Sequence, residues 1–90
     1  MNTFDLRITS PEGDLFGGEA TKLSVRGTEG ELAVMAGHVP FVTYIVPCDC
    51  KVELPDGTTK HGHMERGVLT VSTDKVILLS GDFSWKQTDL

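Results

Sequence analysis

Long apolar runs are missing from this 90-residue sequence. No stretch approaches the roughly 20 apolar residues that a membrane-spanning helix needs. The start, Met-Asn-Thr-Phe-Asp-Leu-Arg, lacks the basic and apolar segments of a secretory signal. We therefore expect neither lipid insertion nor export, and the chain should stay in the compartment where it is made.

Basic residues are also scarce. Eight Lys and Arg stand against thirteen Asp and Glu, which gives a net charge of −5. Proteins that bind nucleic acids or anionic membranes present a basic face, so this balance argues against both classes. Partners should be neutral or basic where they touch the chain.

Cysteine is limited to Cys48 and Cys50. In a strand, residues two apart lie on the same face with Cα atoms roughly 6.5 to 7 Å apart, which disfavours a disulfide. Free thiols are typical of a reducing compartment. Because only Lys51 lies nearby to lower a thiol pKa, we interpret both as small buried residues rather than a redox or metal-binding pair.

The sequence has no uninterrupted segment long enough for a helix of ordinary length, because ten glycines are spread along it. Apolar residues instead alternate with polar ones, the period of a half-buried strand. This alternation involves Phe4, Leu6 and Ile8, then Leu23 and Val25, Leu32 and Val34, Val52 and Leu54, and Leu69 and Val71. Residues 76–79 are all apolar, which predicts a central strand or one buried on both faces. Residues 41–46 also predict a strand, although their pattern does not select an inward face.

Turn-forming residues separate these strands. Residues 10–14 (Ser-Pro-Glu-Gly-Asp) and 55–58 (Pro-Asp-Gly-Thr) combine Pro and Gly as tight turns require. Gly17, Gly18, Gly67 and Gly81 indicate further turns or bulges. Many short strands between such turns are typical of an all-β sandwich or flattened barrel. Ninety residues support one core, so we expect a single domain over residues 1–90.

Two histidines raise the question of a metal site. His61 and His63 would share one face of a strand, and Cys48, Cys50 or His38 could supply a third ligand for zinc or iron. A small metal-binding β-barrel of the cupin type is therefore the alternative hypothesis. Ligand spacing alone is a weak signal, and a solvated polar face explains the same residues, so we predict no metal site.

Motifs for catalysis or cofactor binding are not found. Ser, His and acidic residues occur, but no nucleophile-elbow pattern joins them. Residues 27–30 (Gly-Thr-Glu-Gly) carry an acid where a phosphate loop would hold its anion, and no Lys follows. We predict no catalytic residue and no cofactor.

The most distinctive segment runs from residue 27 to residue 43. It begins Gly-Thr-Glu-Gly-Glu-Leu and continues to Gly-His-Val-Pro-Phe-Val-Thr at residues 37–43. This order resembles the N-terminal domain of the epsilon subunit of F-type ATP synthases, where Gly-Ser-Glu-Gly-Glu-Leu leads to Pro-Gly-His-Ala-Pro-Leu-Leu-Thr. Residues 6–18 and 67–80 resemble the opening and closing strands of the same domain. Met35, Ala36 and the Cys-Asp-Cys of residues 48–50 depart from the family pattern.

The resemblance implies a flattened β-sandwich of about ten short strands at the foot of the rotary central stalk, without an active site. Its implied partners are the gamma subunit and the membrane ring of c subunits. Carried onto this sequence, Thr28, Glu29 and Glu31 would face the ring. Ser10, His38, Pro40 and Phe41 would face gamma.

The family normally continues into two C-terminal helices that inhibit rotation, whereas this sequence stops at Leu90. The expectation is a coupling subunit without that brake, peripheral on the cytoplasmic face of a bacterial plasma membrane. A third hypothesis is a stand-alone β-sandwich adaptor in another complex, which would have no affinity for a gamma-type coiled coil.

Overall fold

The computed structural model describes residues 2–86, which form ten β-strands and no helix. The strands are β1 (Phe4–Ser10), β2 (Gly13–Ala20), β3 (Lys22–Gly27), β4 (Gly30–Val34), β5 (Phe41–Ile45), β6 (Cys48–Glu53), β7 (Thr59–Met64), β8 (Gly67–Val71), β9 (Lys75–Leu79) and β10 (Ser84–Trp85). The predicted all-β fold of about ten short strands is confirmed. No helix that could cross a membrane occurs in this part of the chain.

The strands are hydrogen-bonded in the order β10-β7-β6-β3-β5-β8-β9-β1-β2, and β4 pairs with the other side of β3. The pairing of β1 with β9 is parallel and the other pairings are antiparallel. At the middle of this order, β3 and β5 share only one residue pair, Gly27 with Ile45. The sheet therefore consists of two groups of five strands, the β3 group (β10, β7, β6, β3, β4) and the β5 group (β5, β8, β9, β1, β2).

Apolar residues at alternate positions turn inward from both groups and make one core. Its fully buried members include Leu6, Ile8, Leu23, Val34, Val52, Met64, Leu69 and Leu78. Period-two alternation identified most of these residues from sequence. Burying each such side chain favours folding by about 1.5–3 kcal/mol, so the alternation fixes which face of each strand points inward.

Aromatic contacts bring the two ends of the sheet together. Trp85 on β10 donates its indole N–H to the Leu15 carbonyl oxygen on β2 at 3.2 Å. Its ring also meets Phe16 of β2 edge-on, with centroids 6.3 Å apart. On the inner side Phe83 packs edge-on against Trp85, with centroids 4.9 Å apart. Although β2 and β10 lie at opposite ends of the hydrogen-bonded order, they are neighbours in space.

Turn chemistry was predicted well at the Pro-containing turns. Asp56 Oδ1 accepts hydrogen bonds from the backbone N–H of Thr58 at 2.9 Å and from its hydroxyl at 2.6 Å. Gly57 takes a φ of 91°, in the left-handed region that favours glycine. The β6–β7 hairpin therefore forms where the Pro-Asp-Gly-Thr sequence indicated.

One expectation about an individual strand was wrong. Gly17 and Gly18 lie inside β2, paired with Arg7 and Leu6, rather than in a turn. The irregularity in that pairing lies just before them, where Ile8 pairs with Phe16 but Thr9 pairs with Asp14. Residues 76–79 do form an internal strand between β8 and β1. Of the two alternatives for this segment, the central strand is therefore confirmed, and Leu79 at its outer face is 47% exposed.

The predicted chain end at Leu90 lies outside the described residues.

A stability test follows from the contact between β7 and Phe83. A Cβ placed on Gly62 would overlap the Phe83 ring, so Gly62→Ala must displace the ring from the closing cluster. We expect a loss of about 1–3 kcal/mol in the free energy of unfolding, measured by urea denaturation. Gly17→Ala is the control, because it also lies in a strand but a Cβ there meets no atom within 4 Å. Equal stability of the two variants would contradict this account of the closure.

Candidate functional site

The β3–β4 hairpin presents the first group of predicted site residues. Gly27 and Gly30 pair across the hairpin and leave Thr28 and Glu29 as an exposed two-residue turn. Gly30 has a φ of 119°, which a residue with a side chain rarely adopts. The local sequence thus forms a tight turn that projects its acid into solvent.

The two acids of this hairpin differ in their surroundings. Glu31 lies opposite Arg26 in the ladder, and its carboxylate accepts a hydrogen bond from the guanidinium at 2.9 Å. Glu29 makes no ion pair within residues 2–86. Sequence reasoning missed Arg26, whose pairing depends on the register of the hairpin. Glu29 therefore carries the uncompensated charge of the turn.

The loop between β4 and β5 contains the second predicted group. The His38 N–H donates to the Met35 carbonyl oxygen at 3.2 Å, and Gly37 takes a φ of 83°. The His38 ring lies 5.1 Å from the Phe41 ring, centroid to centroid. His38 and Pro40 are exposed, whereas Phe41 is half-buried and packs against the core. Of the predicted residues of this loop, Phe41 is the one that points inward.

Ser10 lies in the β1–β2 turn. Its hydroxyl donates to the Gly13 carbonyl oxygen at 3.1 Å and accepts from the Glu12 N–H at 3.2 Å. Ser10 is the last residue of β1, and these two hydrogen bonds of its side chain stabilise the turn that follows.

An apolar surface that the sequence did not reveal connects the Ser10 turn with the His38 loop. It lies on the outer side of the β5 group. We call it the apolar face and define it by Val42, Tyr44, Val68, Ile77 and Leu79. Val42 is 67% exposed and Tyr44 70% exposed. The outward direction of these two side chains could not be read from residues 41–46, where apolar residues occur at both alternations.

Strand register places the predicted residues at two ends of the apolar face. Tyr44 pairs with Val68, Val68 with Leu79, and Leu79 with Thr9, the residue before Ser10. The His38 loop leads into the opposite end of β5. The Ser10 turn and the His38 loop therefore border the same outer surface from different ends.

His61 and His63, the candidates of the metal hypothesis, lie on β7. His63 Nδ1 is 2.9 Å from Asp49 Oδ1, and its Nε2 is 2.6 Å from Glu65 Oε2. The hydrogen bond with Glu65 raises the pKa of His63 most, and the hydrogen bond with Asp49 raises it further. The hydrogen bond from His63, followed by that from Lys86, lowers the pKa of Asp49.

No group of three His, Cys, Asp or Glu side chains within residues 2–86 is arranged to hold a metal ion. The ring nitrogens of His63 are both engaged by carboxylates, an arrangement that favours the protonated imidazolium. The geometry around His63 is thus that of a surface ion-pair cluster.

The cysteines are free thiols on the inner side of β6. Cys50 is buried, and burial raises its pKa to about 12. Cys48 is half-buried, and its Sγ accepts a hydrogen bond from the Arg26 N–H at 3.3 Å. Because a reactive cysteine needs accessible thiolate, Cys50 fits the predicted structural role.

Comparison with known proteins gives a consistent result. A family described as "ATP synthase, Delta/Epsilon chain, beta-sandwich domain" matches residues 3–86. The ATP synthase epsilon chain of Clostridium novyi is 34% identical over 85 residues, which cover 94% of this chain and 65% of that protein. The epsilon chain of Psychrobacter cryohalolentis is 36% identical over 80 residues, covering 89% of this chain and 58% of that protein. The chain thus spans about three fifths of these curated relatives.

Solved structures show the same fold. A chain of the mitochondrial ATP synthase of Euglena gracilis aligns with a TM-score of 0.87 at 22% identity, covering 94% of this chain and 54% of that one. A chain of the central stalk and c-ring structure from Tetrahymena thermophila aligns with a TM-score of 0.76 at 10% identity, covering 90% of this chain and 65% of that one. At these identities the likeness concerns the fold alone.

The His63 cluster predicts a pH dependence of stability. The raised pKa means that the folded state holds a proton which the unfolded chain releases near pH 6.5. The stabilisation is complete below about pH 6.5 and is lost as the pH rises through the folded-state pKa. The difference in melting temperature between the unmodified protein and His63→Gln should therefore shrink as the pH is raised.

An NMR titration of the His63 ring checks the cause. Its midpoint should lie above the usual value of about 6.5 and fall in Glu65→Gln, whereas Glu12→Gln, an exposed acid outside the cluster, should leave it unchanged. A midpoint that ignores Glu65→Gln would refute the assignment.

Proposed function

The chain belongs to the ATP synthase delta/epsilon chain family, and from that membership we propose that it is a non-catalytic rotor subunit of an F-type ATP synthase. In this role it links the gamma subunit of the central stalk to the c ring, so that ion translocation is coupled to ATP synthesis. The family match favours this hypothesis over the cupin-like metal protein and the unrelated adaptor.

The observation that carries the proposal is the apolar face. Val42 and Tyr44 are largely exposed, and contiguous exposed apolar surface of this kind typically marks a protein interface. We propose that the gamma subunit covers it. Ser10, His38 and Pro40 would then form the polar border of the contact, with Phe41 supporting the loop from inside, as expected for an interface with an apolar centre and a polar rim.

The ring-facing contact is proposed for the β3–β4 turn. Thr28 and Glu29 are exposed on the two-residue turn, and Glu31 is exposed beside it near the start of β4. Basic or amide groups on the ring loops would complement it. Because Arg26 already compensates Glu31, Glu29 supplies most of the attraction. Such a rim contact gives orientation and association rate more than affinity.

We further propose that residues 1–90 fold as one unit and that the subunit is peripheral on the cytoplasmic face of a bacterial plasma membrane. The relatives from Clostridium and Psychrobacter, both bacterial genera, support this location. The net charge of −5 also disfavours direct contact with anionic lipid, so attachment would pass through the protein partners.

The gamma contact is tested by Tyr44→Asp, which places a charge at the centre of the apolar face. We expect binding to a purified gamma subunit to weaken about thirtyfold, the size of a typical interface hot spot, measured by calorimetry. His61→Asp is the control, because His61 is also exposed but lies on β7 in the β3 group. Equal affinities of the two variants would remove the apolar face from the proposal.

The ring contact is tested by Glu29→Lys in the reconstituted stalk. We expect ring association to weaken about fivefold at low salt, since an exposed ion pair contributes at most about 1 kcal/mol. The difference should fade at high salt, where screening is strong. Glu19→Lys changes the charge equally on β2 and serves as control. Unaltered association of Glu29→Lys would exclude the turn as the docking element.

A further inference from the structure

The outer side of the β3 group carries a groove that shares Glu31 with the proposed ring contact but no other residue of either proposed interface. It crosses β4, β3 and β6 and has a volume of about 610 Å³. Its floor contains the small residues Ser24 and Ala33, which pair with each other across the β3–β4 ladder. The longer side chains of Lys22, Arg26 and Lys51 rise around this floor. Small residues at the floor and longer ones around it account for part of the depression, whose lining also includes Val25, Leu32 and Cys48.

The acids that line the groove are already compensated. Glu31 is bonded to Arg26 at 2.9 Å. Asp49 is held by His63 at 2.9 Å and by Lys86 at 3.0 Å. Neither Lys22 nor Lys51 has an ion-pair partner within 4.0 Å among residues 2–86. The free charge inside the groove is therefore positive, although the chain as a whole carries −5.

The two lysines and one hydroxyl are close enough to act on a single ligand. Ser24 lies directly opposite Lys51 in the β3–β6 ladder, a relation that sets Cβ atoms roughly 4.5–5.5 Å apart. Lys22 is two residues along the same strand and on the same face, roughly 6.5–7 Å away. Glu53, an acid outside the groove lining, pairs with Lys22 in the ladder but makes no ion pair with it.

We propose that Lys22, Ser24 and Lys51 form a binding site for a small soluble oxyanion of the phosphate class. The ammonium groups would approach the anion from two strands, and the Ser24 hydroxyl would donate a hydrogen bond between them. Arg26 takes no part, because its guanidinium is engaged by Glu31.

The lining selects against larger ligands of similar charge. None of the residues that line the groove, all between positions 22 and 51, is aromatic, so a nucleotide base would find no stacking surface. An anionic membrane would meet the repulsion of the acidic chain around the groove. A compact oxyanion is attracted by Lys22 and Lys51, needs no stacking surface, and is small enough to stay away from the acidic surface around the groove.

The test is a titration of the ¹⁵N-labelled chain with inorganic phosphate, followed by NMR. We expect saturable shifts confined to the amides around Lys22, Ser24, Ala33 and Lys51. Sodium chloride at the same ionic strength should not reproduce them. The double variant Lys22→Gln, Lys51→Gln should weaken binding at least about tenfold, a change readily measured as a shift of the titration midpoint.

Lys75→Gln is the matched control, because Lys75 is an exposed lysine on β9 in the other group of strands. Its affinity for phosphate should equal that of the unmodified chain. Shifts that follow ionic strength alone, or that persist in the double variant, would overturn the proposal. So would co-sedimentation with phosphatidylglycerol vesicles through Lys22 and Lys51 without any response to free phosphate, since the ligand would then be a lipid headgroup.

Discussion

The rest of the structure depends on closure of the sheet by the aromatic cluster at its two ends. Trp85 reaches from β10 to the Leu15 carbonyl on β2, and Phe83 seals the space beneath it against Gly62. A curled sheet with separated ends would leave the inward side chains of β2, β7 and β10 open to water. Closure instead gives both five-strand groups one shared core. It also requires glycine at position 62, where a Cβ would overlap the Phe83 ring.

Closure also determines which surfaces remain for function. Once the inner sides are joined, each group has a single outer side, and the two differ in chemistry. The β5 group presents the apolar face, with Tyr44 70% exposed. The β3 group presents ion pairs and the lysine-rimmed groove. Two chemically distinct sides and a charged turn at the β3–β4 hairpin would suit the proposed link between different partners, because each contact could form without competing with the others.

Much of the fold could be predicted from the sequence, because side-chain alternation and turn chemistry are local. The period-two alternation alone assigns Leu6, Ile8 and Leu23 to the core, and all three are fully buried. The structure resolved the positions where the local pattern was ambiguous. Gly17 occupies a strand because its partner Arg7 is supplied by β1, and Leu79 is exposed because its strand is internal to the sheet but covered on one side only.

The candidate site could be predicted only in part, for a related reason. The exposed turn at Glu29 follows from the glycines beside it, but the compensation of Glu31 by Arg26 depends on hairpin register. The apolar face unites β5 with β8 and β9, which follow it in the sequence only after β6 and β7. Residues 41–46 are apolar at both alternations, so no periodic signal distinguishes Tyr44 from its inward neighbours. Roles carried over from the family resemblance for Ser10 and His38 stay predictions.

The central claim, that the apolar face is the gamma-binding surface, is tested most directly by side-chain oxidative footprinting of the chain alone and in the assembled stalk. The account predicts that Tyr44, Leu79 and His38 lose reactivity on assembly, whereas His61 on the opposite side keeps it. Unchanged oxidation of Tyr44 and Leu79 in the assembled stalk would contradict the claim.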